Sequence, residues 1–145
     1  MAKVLIVDDE ASIREVLRRY VEAVGHETHE AENVDDALRV LQEFDADVAL
    51  CDVQMPGEHD GIWLTHHIRQ TREHTAVVLV TGVSDVPPST SMKAGVVAYL
   101  VKPFKRERVH DALTQAVKWH DESVAAGPKG RAASDALDEW FASLD

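Results

Sequence analysis

The sequence has a single cysteine, too few basic residues to balance its acids, and no apolar run long enough to cross a membrane. Cys51 alone cannot close an internal disulfide, and its apolar neighbours mark it as a buried thiol rather than a reactive one. The 15 Lys and Arg against 26 Asp and Glu leave a net charge of -11. Binding to a phosphate backbone draws its affinity from clustered cations, so no nucleic-acid partner is expected through this chain. No stretch reaches the roughly 18 consecutive apolar residues of a membrane helix. The start, "MAKVLIVDDE", has no charged region followed by a long apolar core and a cleavage site. A cytoplasmic protein with no membrane partner is the expectation. The 145 residues, 45% of them apolar, suit one domain with a real core.

Five short apolar runs recur: "KVLIV" at 3, "HETHE" at 26 as the weakest, "DVALC" at 47, "AVVLV" at 76 and "AYLV" at 98. Four are nearly continuous in Val, Leu and Ile, as strands of a parallel sheet covered on both faces should be. Helical patterns lie between them. Ile13, Val16, Leu17, Tyr20, Val21 and Val24 share one helix face, with Gly25 as its stop. A second helix reads from an Asn33 cap through Ala37, Leu38 and Leu41, with Asp35 and Asp36 in its first turn. A third covers roughly 62 to 71, and a fifth carries Val109, Ala112, Leu113, Ala116 and Val117 on one face. Between Asp85 and Ala94, "VPPSTS" is poor in helix formers and predicts a short or irregular fourth element. This alternation predicts an α/β fold, a doubly wound parallel sheet with right-handed crossovers and helices on both faces.

Ligands of such sheets bind beyond the carboxyl ends of the strands, beside the switch in strand order. The unusual polar residues fall there: Asp8-Asp9-Glu10 after strand one, Asp52 at the end of strand three, Thr81-Gly82 after strand four and Lys102-Pro103 after strand five. Converging carboxylates repel one another, and burial raises their pKa values unless a cation balances them. Oxygen ligands without Cys or His favour Mg²⁺, which keeps waters for a phosphate to displace. Lys102 adds a fixed charge, Thr81 a hydroxyl, and Gly82 room for an oxyanion. These are parts for phosphoryl transfer, with Asp52 as the nucleophile.

"VLIVDDE", "CDVQMPG", "VTG" and "YLVKPF", in that order, resemble the receiver domain of bacterial two-component response regulators across roughly residues 3 to 122. The resemblance implies a five-stranded, flavodoxin-like sheet of order 2-1-3-4-5. It implies that Asp52 is the phosphoacceptor, that Asp8 and Asp9 with Asp52 hold Mg²⁺, and that Gln54 lends the ion a backbone carbonyl. Thr81 matches the switch hydroxyl, Tyr99 the switch aromatic, and Lys102 the lysine that pairs with the phosphoryl group. The implied Lys102-Pro103 bond is cis. The implied partners are a histidine kinase or a histidine phosphotransfer protein, and a downstream protein or output domain of unknown identity. Such a domain carries its own phosphorylation and dephosphorylation chemistry without being classed as an enzyme. Two departures stand out. "GEH" places three residues between Met-Pro and Asp-Gly where the family usually has two, so the loop at 57 to 60 should bulge. The segment from Thr81 to Lys102 is about one residue short.

Rival chemistries fit less well. A haloacid-dehalogenase-type phosphatase needs a second Asp two residues after the nucleophile as general acid, and Gln54 stands there. A flavin carrier of the same fold would place its phosphate loop after strand one, where Asp8-Asp9 repel phosphate. His59, His66 and His67 do not complete a metal site, because adjacent histidines point to different helix faces. The basic run Lys105, Arg106, Arg108 reads as a solvated face. The domain is assigned to 1–122 and a linker to 123–133. Residues 134–145 read as a short amphipathic helix capped by Ser134, with Leu137, Trp140, Phe141 and Leu144 on one side. That helix is too short to be stable alone. It is either the start of an output domain or a segment that packs on its own receiver or on a neighbouring molecule, with the switching surface as the expected place; a homodimer stays open.

Overall fold

The computed structural model describes residues 1–82 and 96–126. The fourth helix expected between Asp85 and Ala94, and the C-terminal helix expected at 134–145, lie outside the described residues. The elements run β1 (Lys3–Val7), α1 (Ala11–Ala23), β2 (Glu27–Ala31), α2 (Val34–Glu43), β3 (Val48–Asp52), α3 (Gly61–Thr71), β4 (Ala76–Thr81), β5 (Val96–Val101) and α4 (Arg106–Ala126). All strand pairs are parallel, in the order β2-β1-β3-β4-β5. The order reverses between β1 and β3, which sets a crevice at their carboxyl ends.

Position in the sheet explains the strand sequences. The interior strands β3 and β4 are buried at every residue, and their continuous Val, Leu and Ala runs meet a helix layer on each face. On one face α2 and α3 cover Leu5, Val7, Ala49, Cys51, Val77 and Leu79. On the other, α1 and α4 cover Val4, Ile6, Leu50, Val78 and Val80. The weakest run forms the edge strand β2, where Ala31 is the one fully buried residue, Thr28 is half-buried, and Glu27, His29 and Glu30 are exposed. An edge strand bordered by Glu and His discourages pairing with other chains.

The helices follow their predicted stripes with local differences. Asn33 accepts a hydrogen bond from the Asp36 N–H at 2.8 Å, as its place before α2 predicts. In α1, Leu17 and Val21 are buried, each contributing about 1.5–3 kcal/mol. Val16 and Val24, expected on that face, are 37% and 45% exposed. Val16 falls at the stripe's margin, and Val24 lies past the last helical residue, where Gly25 turns the chain at φ 90°. A second correction concerns the assigned linker. Residues Ser123 to Ala126 continue α4, so the domain's last helix extends past 122. His74 accounts for it: its Nδ1 lies 2.7 Å from the Ser123 hydroxyl, which anchors that turn to the loop before β4.

Candidate functional site

Sheet hydrogen bonds run just past the strand ends and fix the backbone of the site. The Asp8 N–H donates to the Ala31 carbonyl at 3.1 Å, the Val53 N–H to Val80 at 2.9 Å, and the Lys102 N–H to Thr81 at 2.8 Å. The register then sets Asp52 opposite Val80, and Thr81 opposite Val101. Residues far apart in the chain thus emerge side by side. The Lys102-Pro103 peptide is cis.

Lys102 gathers the acids. Its ammonium lies 3.1 Å from Asp8 Oδ2, 3.4 Å from Asp52 Oδ2 and 3.8 Å from Glu10 Oε1. Asp8 and Asp52 are 0% and 5% exposed, so desolvation acts on both. Burial first, and then the neighbouring Asp8 charge, push Asp52 up to about 6 against the pull of Lys102. Burial likewise raises Asp8, although the Glu10 N–H and Lys102 oppose it. For Lys102, burial works against the charge, but Asp8, Asp52 and Glu10 outweigh it and the pKa rises. One cation does not satisfy this set. Asp8 Oδ2 sits buried without a regular hydrogen bond, and the Lys102 ammonium 3.1 Å away is its ion-pair partner. Asp8, Asp9 and Glu10 can bring one oxygen each within 4.8 Å of one another, the metal-compatible group found among the described residues. The all-oxygen donor set and the orphaned Asp8 oxygen fit a hard divalent ion.

Three residues, through contacts that the sequence did not reveal, hold this geometry. The Glu10 N–H donates to Asp8 Oδ1 at 2.9 Å. Arg14, one turn into α1, donates from Nη1 to the Asp8 carbonyl at 2.7 Å and pairs with Glu30 at 3.3 Å. Gly61 opens α3 directly against the strand end: a Cβ there would stand 1.9 Å from the Asp52 carbonyl oxygen. Its N–H donates to the Val53 carbonyl at 3.0 Å. A Gly beside an Asp cap is the available signal, but only the fold shows which backbone it meets.

The other predicted residues take distinct places. Gln54 is exposed, and its N–H lies 3.3 Å from Asp52 Oδ1. Thr81 is fully buried, its hydroxyl donating to the Gly82 carbonyl at 3.1 Å. Tyr99 is half-buried and packs against the core cluster on the face of the sheet that α2 and α3 cover. The loop at 57–60 passes through Gly57 at φ 112°, and Asp60 caps α3 by accepting from the Trp63 N–H at 3.0 Å. Together with Asp9, Gln54 and Trp63 it lines a cavity of about 670 Å³. His59 and His67 are ring partners of Trp63, with centroids 3.8 and 5.3 Å away. The basic residues Lys105, Arg106 and Arg108 are exposed.

The model of the response regulator receiver domain matches residues 4–114. The chain belongs to this receiver family. It is 37% identical over 107 residues to the transcriptional regulatory protein ResD of Bacillus subtilis, covering 74% of this chain and 44% of ResD. It is 33% identical over 119 residues to the chemotaxis protein CheY of Halobacterium salinarum, covering 81% of this chain and 98% of CheY. A receiver domain structure from Clostridium thermocellum superposes with a TM-score of 0.74 at 30% identity, over 81% of this chain and 95% of that one. The chain therefore spans less than half of ResD but nearly all of CheY. As a receiver it has the expected strand order and helices on both faces of the sheet. No described helix is long and apolar enough to cross a membrane.

Proposed function

We propose that this receiver takes a phosphoryl group onto Asp52 from the phosphohistidine of a histidine kinase or phosphotransfer protein, in the cytoplasm. The observation that carries the reading is Asp52 itself, a buried carboxylate at a strand end, paired with Lys102 and raised to about 6 beside Asp8. Such a group is strained as a free anion and reactive as a nucleophile. Asp52 Oδ attacks phosphorus, the phosphorus–nitrogen bond breaks, and the donor imidazole leaves with the electron pair. Lys102, already within ion-pair distance of Asp52, offsets charge on the transferred oxygens. Asp8, Asp9 and Asp52, with the Gln54 carbonyl, would hold Mg²⁺, which supplies charge neutralisation for both carboxylates and phosphoryl oxygens. Water later attacks the acyl phosphate, returning the Asp52 carboxylate and inorganic phosphate.

The Thr81 hydroxyl then exchanges its Gly82 carbonyl for a phosphoryl oxygen, and Tyr99 moves into the space released. This shifts the population between two packings near β5 and α4 and is read by a downstream protein or output domain. Incubation with acetyl phosphate and Mg²⁺ tests the chemistry. One phosphoryl group per wild-type chain and none on Asp52→Asn supports it; equal labelling of both proteins overturns it.

A further inference from the structure

A phosphodonor has two ends, and the two oxygens of Asp52 face unlike surroundings. Oδ2 lies 3.4 Å from the Lys102 ammonium, whereas Oδ1 takes the Gln54 N–H at 3.3 Å. The transferred oxygens belong at Lys102. In an in-line displacement the leaving group then lies on the far side of phosphorus from Asp52, at the mouth of the crevice. Gln54 and Asp9 lead from the carboxylates into the 670 Å³ cavity, which walls that mouth on the Oδ1 side.

The wall is acidic. Asp9, Glu58 and Asp60 line it, all exposed, and neither Lys nor Arg does. Asp8 and Asp52 have Lys102 beside them. Glu58 and Asp60 have no cationic group within ion-pair distance among the described residues. Asp60 is fixed by its cap on the Trp63 N–H at 3.0 Å, and the Trp63 ring is held between His59 and His67, with centroids 3.8 and 5.3 Å away. An aromatic wall displaces water beside these acids, so their field reaches further than in open solvent.

Donors differ in the charge of what leaves. With a protonated phosphoimidazole, the Asp52 oxygen–phosphorus bond forms, the phosphorus–nitrogen bond breaks, and the ring takes the electron pair, passing from cation to neutral imidazole. With acetyl phosphate, the phosphorus–oxygen bond to the acetyl group breaks and that oxygen takes the pair, leaving as acetate. Only the second reaction builds negative charge against the acidic wall. Fixed charge discriminates by repelling one partner as well as by attracting the other.

We propose that Glu58, together with Asp60, is a specificity-determining residue that makes this receiver favour nitrogen-linked over acyl-linked phosphodonors. The proposal rests on the phosphotransfer reading and deepens it to a donor class.

The test measures second-order rates of Asp52 labelling on the full chain with Mg²⁺ at pH 7, once with phosphoimidazole and once with acetyl phosphate, by mass spectrometry. Glu58→Gln should speed the acetyl phosphate reaction and slow the phosphoimidazole reaction, each by roughly threefold for a partly screened charge. Glu58→Asp keeps the charge and should keep the wild-type ratio of the two rates. Glu27→Gln removes the same charge at the start of β2, on the opposite rim, and should move neither rate. Equal change of both rates in Glu58→Gln, as a distorted loop would give, overturns the proposal. So does no change in either, or a Glu58→Asp protein that behaves like Glu58→Gln. A wild type labelled by neither donor overturns the phosphotransfer reading itself and the proposal with it, an outcome distinct from a labelled protein with an unaltered ratio.

Discussion

The two ends of the sheet handle polar groups in opposite ways. At the amino ends, Asp47 accepts from the Lys3 N–H at 2.9 Å and meets His120 Nε2 at 3.2 Å. The other His120 nitrogen lies 2.6 Å from the His74 carbonyl, and the Thr75 hydroxyl donates to Ala46 at 2.7 Å. Every one of these groups has a complementary partner. At the carboxyl ends, two buried carboxylates share one ammonium, and an Asp8 oxygen has no regular hydrogen bond. The same layer of strands therefore supports a satisfied network at one rim and an unbalanced one at the other. Unbalanced charge in a buried site is where perturbed ionisation and chemistry concentrate, with the rest of the fold supplying the stability that it forfeits.

Breaking the contrast most sharply, Asp52→Asn should abolish labelling by acetyl phosphate, and a chelator should do the same to the wild type, both followed by mass spectrometry. Gly61→Ala comes next. The added methyl would collide with the Asp52 carbonyl, so denaturant titration should show a loss of about 2–3 kcal/mol together with slowed labelling. The same Asp52→Asn variant should be more stable than the wild type at pH 7, by about 1–3 kcal/mol, in the absence of metal. The sign follows from the direction of the shift. An acid raised from 3.8 to about 6 favours its neutral form in the folded state, so the wild type loses stability as pH rises through that window. The advantage of Asn should therefore be absent below pH 4, grow between pH 4 and 6, and stay level above. Unfolding curves across pH that showed no such growth would contradict the charge imbalance. At the opposite rim, His120→Ala should cost about 1–2 kcal/mol while leaving the labelling rate unchanged.

Legibility from sequence followed the range of the interactions involved. Buried parallel strands wrote themselves as continuous apolar runs, and the Asn33 cap acts within three residues, so both could be read locally. The site acids were visible because strand ends are where a doubly wound sheet gathers its ligands. What stayed hidden depends on distant chain. Arg14 matters through the carbonyl it reaches, Gly61 through the strand it touches, and the continuation of α4 to Ala126 through His74 on another loop. Val16 fits the periodicity of its helix yet stays 37% exposed, since spacing locates a stripe but not its width.

The hydrogen bond from Gly61 to the Val53 carbonyl, at 3.0 Å, pins both ends of the excursion that carries Met55 to Asp60. With its ends clamped, this stretch is a closed loop whose length is decoupled from the position of Asp52. Lengthening such a loop costs little, about 0.6 kcal/mol per doubling. Gly57, Glu58 and His59 line the cavity, so a change in their number would fall on its wall rather than on the strand that carries Asp52. For a protein engineer the segment from Gly57 to His59 is an insertion port. Short peptides placed there would vary what can enter the crevice, and the carboxylates beneath would keep their register.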